Sequence, residues 1–262
     1  MARVVQRRAL HGSREVEDSI ACEVPIALHY NDAPFAVLMA TPCDLEDLAL
    51  GFTVSEGLVE GADEVQVDAV DEELEGFAVR MSIPQSCADA LFQRQRNLPA
   101  YGGCGVCGSA TLEAVLRTPA RIANDLQFEE RALYRALGQL HERQPLGAAT
   151  GATHAAAFAD VEGAVQVVRE DVGRHNALDK LIGAMCSRGI AAQGGFAITT
   201  SRASFELAMK AAHVGIPLLA AISAPTTLAI ALADSAALCL VGFARDRACV
   251  VYAHPQRLVR GA

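Results

Sequence analysis

The chain contains no tryptophan, and only 5% of its 262 residues are aromatic. Packing of large rings is therefore not the basis of its core. Apolar residues still make up 52% of the chain, chiefly Ala, Val, Leu and Ile, a composition that suits helices packed on a buried sheet. Positive charge is also scarce: 22 Lys and Arg stand against 31 Asp and Glu, a net charge of −9. That balance excludes a broad electrostatic footprint for nucleic acid, while leaving room for a local basic pocket. No apolar stretch follows the basic start (Met-Ala-Arg-Val-Val-Gln-Arg-Arg), so a secretory signal is not expected. The most apolar run, 216–243, contains Pro217, Ser223, Pro225, Thr226, Thr227, Asp234 and Ser235, and reads as strand, helix and strand rather than a membrane span. The eight cysteines are mostly scattered, which argues against a disulfide framework and for the reducing cytoplasm.

The pattern divides the chain into a polar, mobile tail over 1–18, a small α+β subdomain over 19–100, a mobile cysteine-bearing loop with its following helix over 101–118, and a second domain over 119–262. In the subdomain, 20–28 reads as a strand, with Pro25 favouring a sheet edge. Asn31-Asp32 is a turn signal, and 35–40 returns as the second arm of a hairpin. Thr41-Pro42 is placed to cap and start a helix carrying Leu45, Leu48 and Phe52. Strands are expected over 64–70 and 77–83, and a helix over 86–96. Cys22, Cys43 and Cys87 read as small buried side chains.

The second domain opens with a short strand over 121–123 and a helix over 128–143. In the small, apolar stretch 147–158, Thr150, Thr153 and His154 are the polar groups, and His154 by itself reads as a hydrogen-bonded core histidine. From 164 a unit recurs: strands over 164–168, 195–199, 217–222 and 237–243, with helices over 175–188, 205–213 and 228–236 between them. Near-continuous apolar strands alternating with helices predict a largely parallel sheet covered on both faces. In such a sheet the loops after the strand ends gather along one edge, where ligands bind. Here those loops carry Arg174, Ser201, Arg202, Ser204, Arg245 and Arg247. Helix N-termini and arginine forks favour phosphate, so the edge is expected to take an anionic, nucleotide-like ligand. Glu170-Asp-Val-Gly-Arg-His175 with Asp179-Lys180 reads either as an acid–base cluster or, preferably, as a structural ion-pair network. Cys186, Cys239 and Cys249 read as core positions.

The most unusual stretch is Tyr101-Gly-Gly-Cys-Gly-Val-Cys-Gly-Ser-Ala110. Glycines flank both thiols and leave them uncrowded. A helix is expected beyond Ser109, so the pair precedes a helix N-terminus, where the dipole favours the nucleophilic thiolate. Four readings stand on chemistry alone: a sulfur carrier, a redox pair, a metal site, or an inert pair. Structural zinc normally needs four ligands, and no second Cys-x-x-Cys exists in the chain.

Taken together, Gly103-Cys-Gly-Val-Cys-Gly108, Thr150-Gly-Ala-Thr-His-Ala-Ala156, Glu170-Asp-Val-Gly-Arg-His175, Ser201-Arg-Ala-Ser204 and the segment ending in His254-Pro-Gln-Arg257 resemble the FdhD family, the formate dehydrogenase accessory sulfurtransferases. The resemblance covers the chain from about residue 20. It implies a cytoplasmic, dimeric sulfur carrier with a cytidine-deaminase-like C-terminal domain. A cysteine desulfurase would donate sulfur, Cys104 would hold it as a persulfide with Cys107 assisting, and the molybdenum bis(guanine dinucleotide) cofactor of the formate dehydrogenase catalytic subunit would receive it. The cofactor-binding segment would match Phe243, Ala244, Arg245, Asp246, Arg247 and Ala248, with Ser201, Arg202, Ser204, Arg174 and His154 lining the same pocket and GDP or GMP mimicking the nucleotide end. A zinc deaminase needs His-x-Glu followed by Pro-Cys-x-x-Cys. Here Ala155 and Ala156 follow His154, so neither catalytic zinc nor base deamination is expected. The alternative is a cofactor-binding chaperone with a redox-sensing thiol pair.

Overall fold

The computed structural model describes residues 1–10, 12–96, 119–245 and 247–261. The expectations for the cysteine segment and its helix, including Cys104 and Cys107, and the candidate contact Asp246 lie outside the described residues.

The expected N-terminal tail is instead an antiparallel hairpin of β1 (Ala2–Ala9) and β2 (Gly12–Ser19). Its side chains are mostly exposed, so burial gave no sign of it. The ladder sets Val5 opposite Val16 and Arg3 opposite Asp18, pairs that favour this register.

The subdomain is a four-stranded sheet in the order β4-β3-β6-β5, built from β3 (Val24–Tyr30), β4 (Ala33–Ala40), β5 (Gln66–Glu73) and β6 (Gly76–Ser82). The period of two in β3 sends Ile26, Leu28 and Tyr30 inward. They pack under α1 (Leu45–Ser55), whose Leu48, Ala49 and Phe52 join the same core. α2 (Gln85–Arg96) adds Ala88 and Leu91. Pro25 does not mark an edge, because β3 is an interior strand. Its missing N–H is tolerated at the strand start, since the ladder to β6 begins one residue later at Ile26. Thr41-Pro42 does not start α1 either. Asp44, in the left-handed region at φ 51°, occupies the N-cap position, and Thr41 is used elsewhere. Cys22 is exposed rather than buried, whereas Cys43 and Cys87 are half-buried.

The second domain is a six-stranded sheet in the order β13-β12-β11-β10-β8-β9. Its strands are β8 (His154–Asp160), β9 (Val165–Asp171), β10 (Gly195–Thr199), β11 (Leu218–Ala221), β12 (Cys239–Arg245) and β13 (Ala248–Ala253). The sheet is mixed rather than largely parallel: only β10–β11 and β11–β12 are parallel pairs. β8 and β13, neither anticipated, supply antiparallel neighbours. β9 is antiparallel to β8, which is antiparallel to β10, so β9, β10, β11 and β12 still run the same way. Residues 169–171, expected in a loop, complete β9.

Helices do cover both faces. α5 (Arg174–Ser187), α6 (Phe205–His213) and α7 (Thr227–Ala236) pack on one, burying Leu178, Leu181, Leu207 and Ala233. On the other lies α3 (Glu130–Glu142), with Leu133, Ala136 and Leu140 against Phe196 and Ile198. A short helix, α4 (Pro145–Thr150), leads into β8. No strand forms over 121–123. A two-residue pair, β7 (Phe128–Glu129) with β14 (Leu258–Val259), closes that side instead. Cys239 is buried in the core, and Cys186 and Cys249 are half-buried against it. Among the described residues, no helix is long and apolar enough to cross a membrane.

The two units meet through α1 and α5, whose backbones touch at two glycines. A Cβ on Gly51 would lie 1.7 Å from the Asp179 carbonyl, and one on Gly183 would lie 1.9 Å from the Asp47 carbonyl. Glycine at these positions sets the helix separation. The cluster 170–180 resolves into the structural alternative. Lys180 pairs with Asp171 at 2.7 Å, and Lys210 with Asp179 at 2.9 Å, all four side chains being almost entirely buried.

Candidate functional site

Because β9, β10, β11 and β12 share a direction, their C-terminal ends lie on one edge, as the strand–helix alternation implied. Lateral hydrogen bonds join the loops that follow. The Ala155 amide at the start of β8 donates to Thr200 Oγ1 at 2.9 Å. The Ser223 amide donates to the Ser201 carbonyl at 3.3 Å, Thr226 to Ala203 at 3.1 Å, and Phe243 to Ser223 at 3.2 Å. Segments widely separated in sequence thus form one continuous rim.

Each loop ends in a defined way. Ser204 caps α6, its hydroxyl accepting from the Leu207 amide. Thr226 does the same for α7 through the Ala229 amide. Ser201 is buried, its hydroxyl 3.0 Å from Thr199 Oγ1 and donating to the Arg202 carbonyl at 2.9 Å. Gly242 is required because a Cβ there would lie 2.8 Å from Pro225 Cδ and 2.9 Å from the Tyr252 ring. The irregularity that follows puts Phe243 in the left-handed region at φ 51° and leaves the residue 39% exposed. Ala244 turns the other way, with its side chain buried in the core. Arg245, Arg247 and Ala248 are exposed at the β12–β13 turn.

His154, Arg174, His175 and Ser204 come together at the other end of the rim. His154 starts β8 directly opposite Asp171 on β9. His175 Nε2 lies 3.4 Å from Ser204 Oγ and 3.7 Å from Glu206 Oε2. Burial, reinforced by the Arg174 charge, lowers the pKa of His154 and pushes that of His175 down to about 4. His175 is therefore neutral at neutral pH. Burial alone would raise Glu206, but hydrogen bonds from its own amide and from Ser204 prevail, so its pKa is lowered and it stays ionised.

Among the described residues, Arg174, Arg202, Arg245 and Arg247 have no carboxylate within 4.0 Å. The Arg174 Nε is shut from solvent and has no hydrogen-bond partner among the described residues. A row of guanidiniums outside ion-pair distance of any described carboxylate, beside two helix N-termini, can take an anion with several charged oxygens. Thr200 and Thr226, whose hydroxyls knit the rim, were not singled out as site residues from sequence. Their positions just after strand ends were the available signal.

A model of the FdhD/NarQ family matches residues 21–259. A relative from Xanthomonas campestris pv. campestris (strain B100), named sulfur carrier protein FdhD, is 58% identical over 261 residues, covering 100% of this chain and 93% of its own. One from Cupriavidus necator with the same name is 50% identical over 241 residues, covering 92% of this chain and 84% of its own. In fold, the chain is similar to a crystal structure from Desulfotalea psychrophila described as that of a formate dehydrogenase accessory protein. The TM-score is 0.78, with 24% identity and 99% of each chain covered.

Proposed function

This chain belongs to the FdhD/NarQ family, and from that premise we propose that it is a cytoplasmic sulfurtransferase of the carrier type, required for active formate dehydrogenase. The observation that carries the reading is the strand-end rim, which sets beside capped helix starts four guanidiniums with no carboxylate within 4.0 Å among the described residues. A carrier must hold its acceptor as well as its sulfur, and this rim suits the phosphates of a guanine dinucleotide. The acceptor is the molybdenum bis(guanine dinucleotide) cofactor, a substrate here rather than a resident group, and GDP or GMP stands in for its nucleotide end.

The sulfur step begins at Cys104. Its thiolate attacks the terminal sulfur of a cysteine desulfurase persulfide. A new bond forms between Cys104 Sγ and that sulfur, the donor's S–S bond breaks, and the donor leaves as a thiolate. Cys107 assists release: its thiolate attacks Cys104 Sγ, the bond from Cys104 to the outer sulfur breaks, that sulfur leaves as hydrosulfide for the cofactor, and the two cysteines are left oxidised as a disulfide. Arg174, Arg202, Arg245 and Arg247 bind the phosphates, Ser201 and Ser204 hold the rim's shape, and the exposed Phe243 ring offers a face to the base. Neutral His154 and His175 line the pocket without carrying added charge. The protein works as a homodimer and meets the formate dehydrogenase catalytic subunit to deliver the sulfurated cofactor.

Replacing Cys104 with Ala tests the assignment. The variant is expected to fold and bind GDP like the parent while failing to restore formate dehydrogenase activity in cells lacking the native protein. Full restoration would end the carrier reading.

A further inference from the structure

The turn between β9 and α5 leads directly into Arg174 and His175, the first residues of α5, and buried charges beneath the rim fix its shape. Asp171 and Lys180 are both fully buried and 2.7 Å apart. Asp171 Oδ1 accepts from the Gly173 amide at 2.8 Å and from Asn176 Nδ2 at 3.1 Å. Its Oδ2 accepts from Lys180 Nζ and from the Thr41 amide at 2.9 Å. Lys180 also donates to the Thr41 carbonyl at 2.9 Å, and the Val172 amide donates to Thr41 Oγ1 at 3.1 Å. Asn176 Nδ2 reaches the Met39 carbonyl at 2.8 Å. Each residue from Asp171 to Gly173 is thus held by a side chain, and the anchor, Thr41, belongs to the other unit.

A buried ion pair is a poor source of stability, because the attraction roughly offsets the loss of water. An apolar pair could fill the same space. What the saturated pair adds is a fixed geometry for the turn. That turn ends on Arg174, whose buried Nε has no partner. With that Nε unpartnered among the described residues, the backbone that bears Arg174 does much to aim its guanidinium.

We propose that Asp171 and Lys180, anchored by Thr41 of the N-terminal subdomain, are positioning residues that set the Arg174 guanidinium for binding the phosphate groups of the nucleotide ligand. The subdomain thereby takes part in ligand binding without touching the ligand. This rests on the reading of the rim as a nucleotide site, and the two can fail separately.

The test is titration calorimetry of the full chain with GDP, alongside urea unfolding. Arg174→Gln probes the site itself and is expected to weaken GDP about tenfold or more through loss of a charge-assisted contact. Unchanged binding in this variant would overturn both the site reading and the proposal. Asp171→Asn with Lys180→Met removes both charges together, so its unfolding midpoint is expected to stay near the parent's, while GDP weakens ~10-fold. Adding Arg174→Gln to that background should then cost less than about twofold more, because coupled residues do not act additively. If Arg174→Gln weakens GDP but the folded double variant binds like the parent, or if the two effects simply multiply, the positioning role is wrong and the site reading survives. Thr41→Ala, which deletes one hydroxyl, decides the matter if the double variant does not fold. It should weaken GDP ~3-fold by freeing the Val172 amide, with recovery in Thr41→Ser, and unchanged affinity in Thr41→Ala would contradict the proposal.

Discussion

The seam between the two units and the rim at the strand ends use the same residue types in opposite ways. In the seam, charges are buried and paired. Lys210 is held by Asp179 at 2.9 Å and Glu56 at 2.6 Å, with Ser55 donating to Asp179 at 2.6 Å. Arg169 reaches Asp47 at 2.6 Å. At the rim, four arginines have no carboxylate partner among the described residues. A charge whose partners lie within the fold is part of the architecture, and one left without a partner is available to a ligand. In a chain with a net charge of −9, such a row of cations at one edge is a local exception.

Substitutions should separate the two regions, seam variants outside the Thr41–Asp171–Lys180 anchor changing stability and rim variants changing ligand affinity. Lys210→Met leaves the buried Asp179 carboxylate unpaired and is expected to cost ~3–5 kcal/mol in urea unfolding. A cost below about 1 kcal/mol would mean that the seam charges are not architectural. Gly51→Ala places a methyl where the Asp179 carbonyl stands, so α1 and α5 must separate. An overpacking cost of up to ~3 kcal/mol is expected by the same measurement.

His175 belongs to the rim but gives it a pH signature. Its pKa is near 4 when folded and 6.5 ordinarily, so between those values the unfolded chain binds more protons. Its contribution to stability is complete above 6.5 and is lost as pH falls toward 4. Unfolding free energy should therefore decline by ~2 kcal/mol over that window, and His175→Gln should flatten the decline. An unchanged profile in the variant would place the titration elsewhere. Smallest is Arg202→Gln at the exposed rim, with stability within ~0.5 kcal/mol of the parent and GDP affinity reduced a few-fold, less so at high salt. A stability loss like that of Lys210→Met would erase the distinction between the regions.

The rim was legible in the sequence because strand ends, hydroxyl-rich loops and helix starts recur in a fixed local order. The seam's partners were not, because no local pattern joins Ser55 to Asp179 or Thr41 to Lys180. Those contacts arise only when α1 crosses α5, and that crossing depends on Gly51 and Gly183 meeting backbones far away in sequence. β8 was missed because His-Ala-Ala-Ala-Phe-Ala has weak strand propensity, and its place between β9 and β10 is set by burial on both faces. Missing β8 and β13 made the sheet look largely parallel. The edge itself remained readable, since β9 to β12 keep one direction whatever lies between them.

In the proposed function, sulfur resides on Cys104 before it reaches the cofactor. The most direct measurement is intact-protein mass spectrometry after incubation with a cysteine desulfurase and cysteine, followed by peptide mapping. The expected result is the gain of one sulfur atom on Cys104, reversed by a thiol reductant and absent in Cys104→Ala. A chain that binds GDP but gains no sulfur would contradict it and leave a cofactor-binding chaperone in its place.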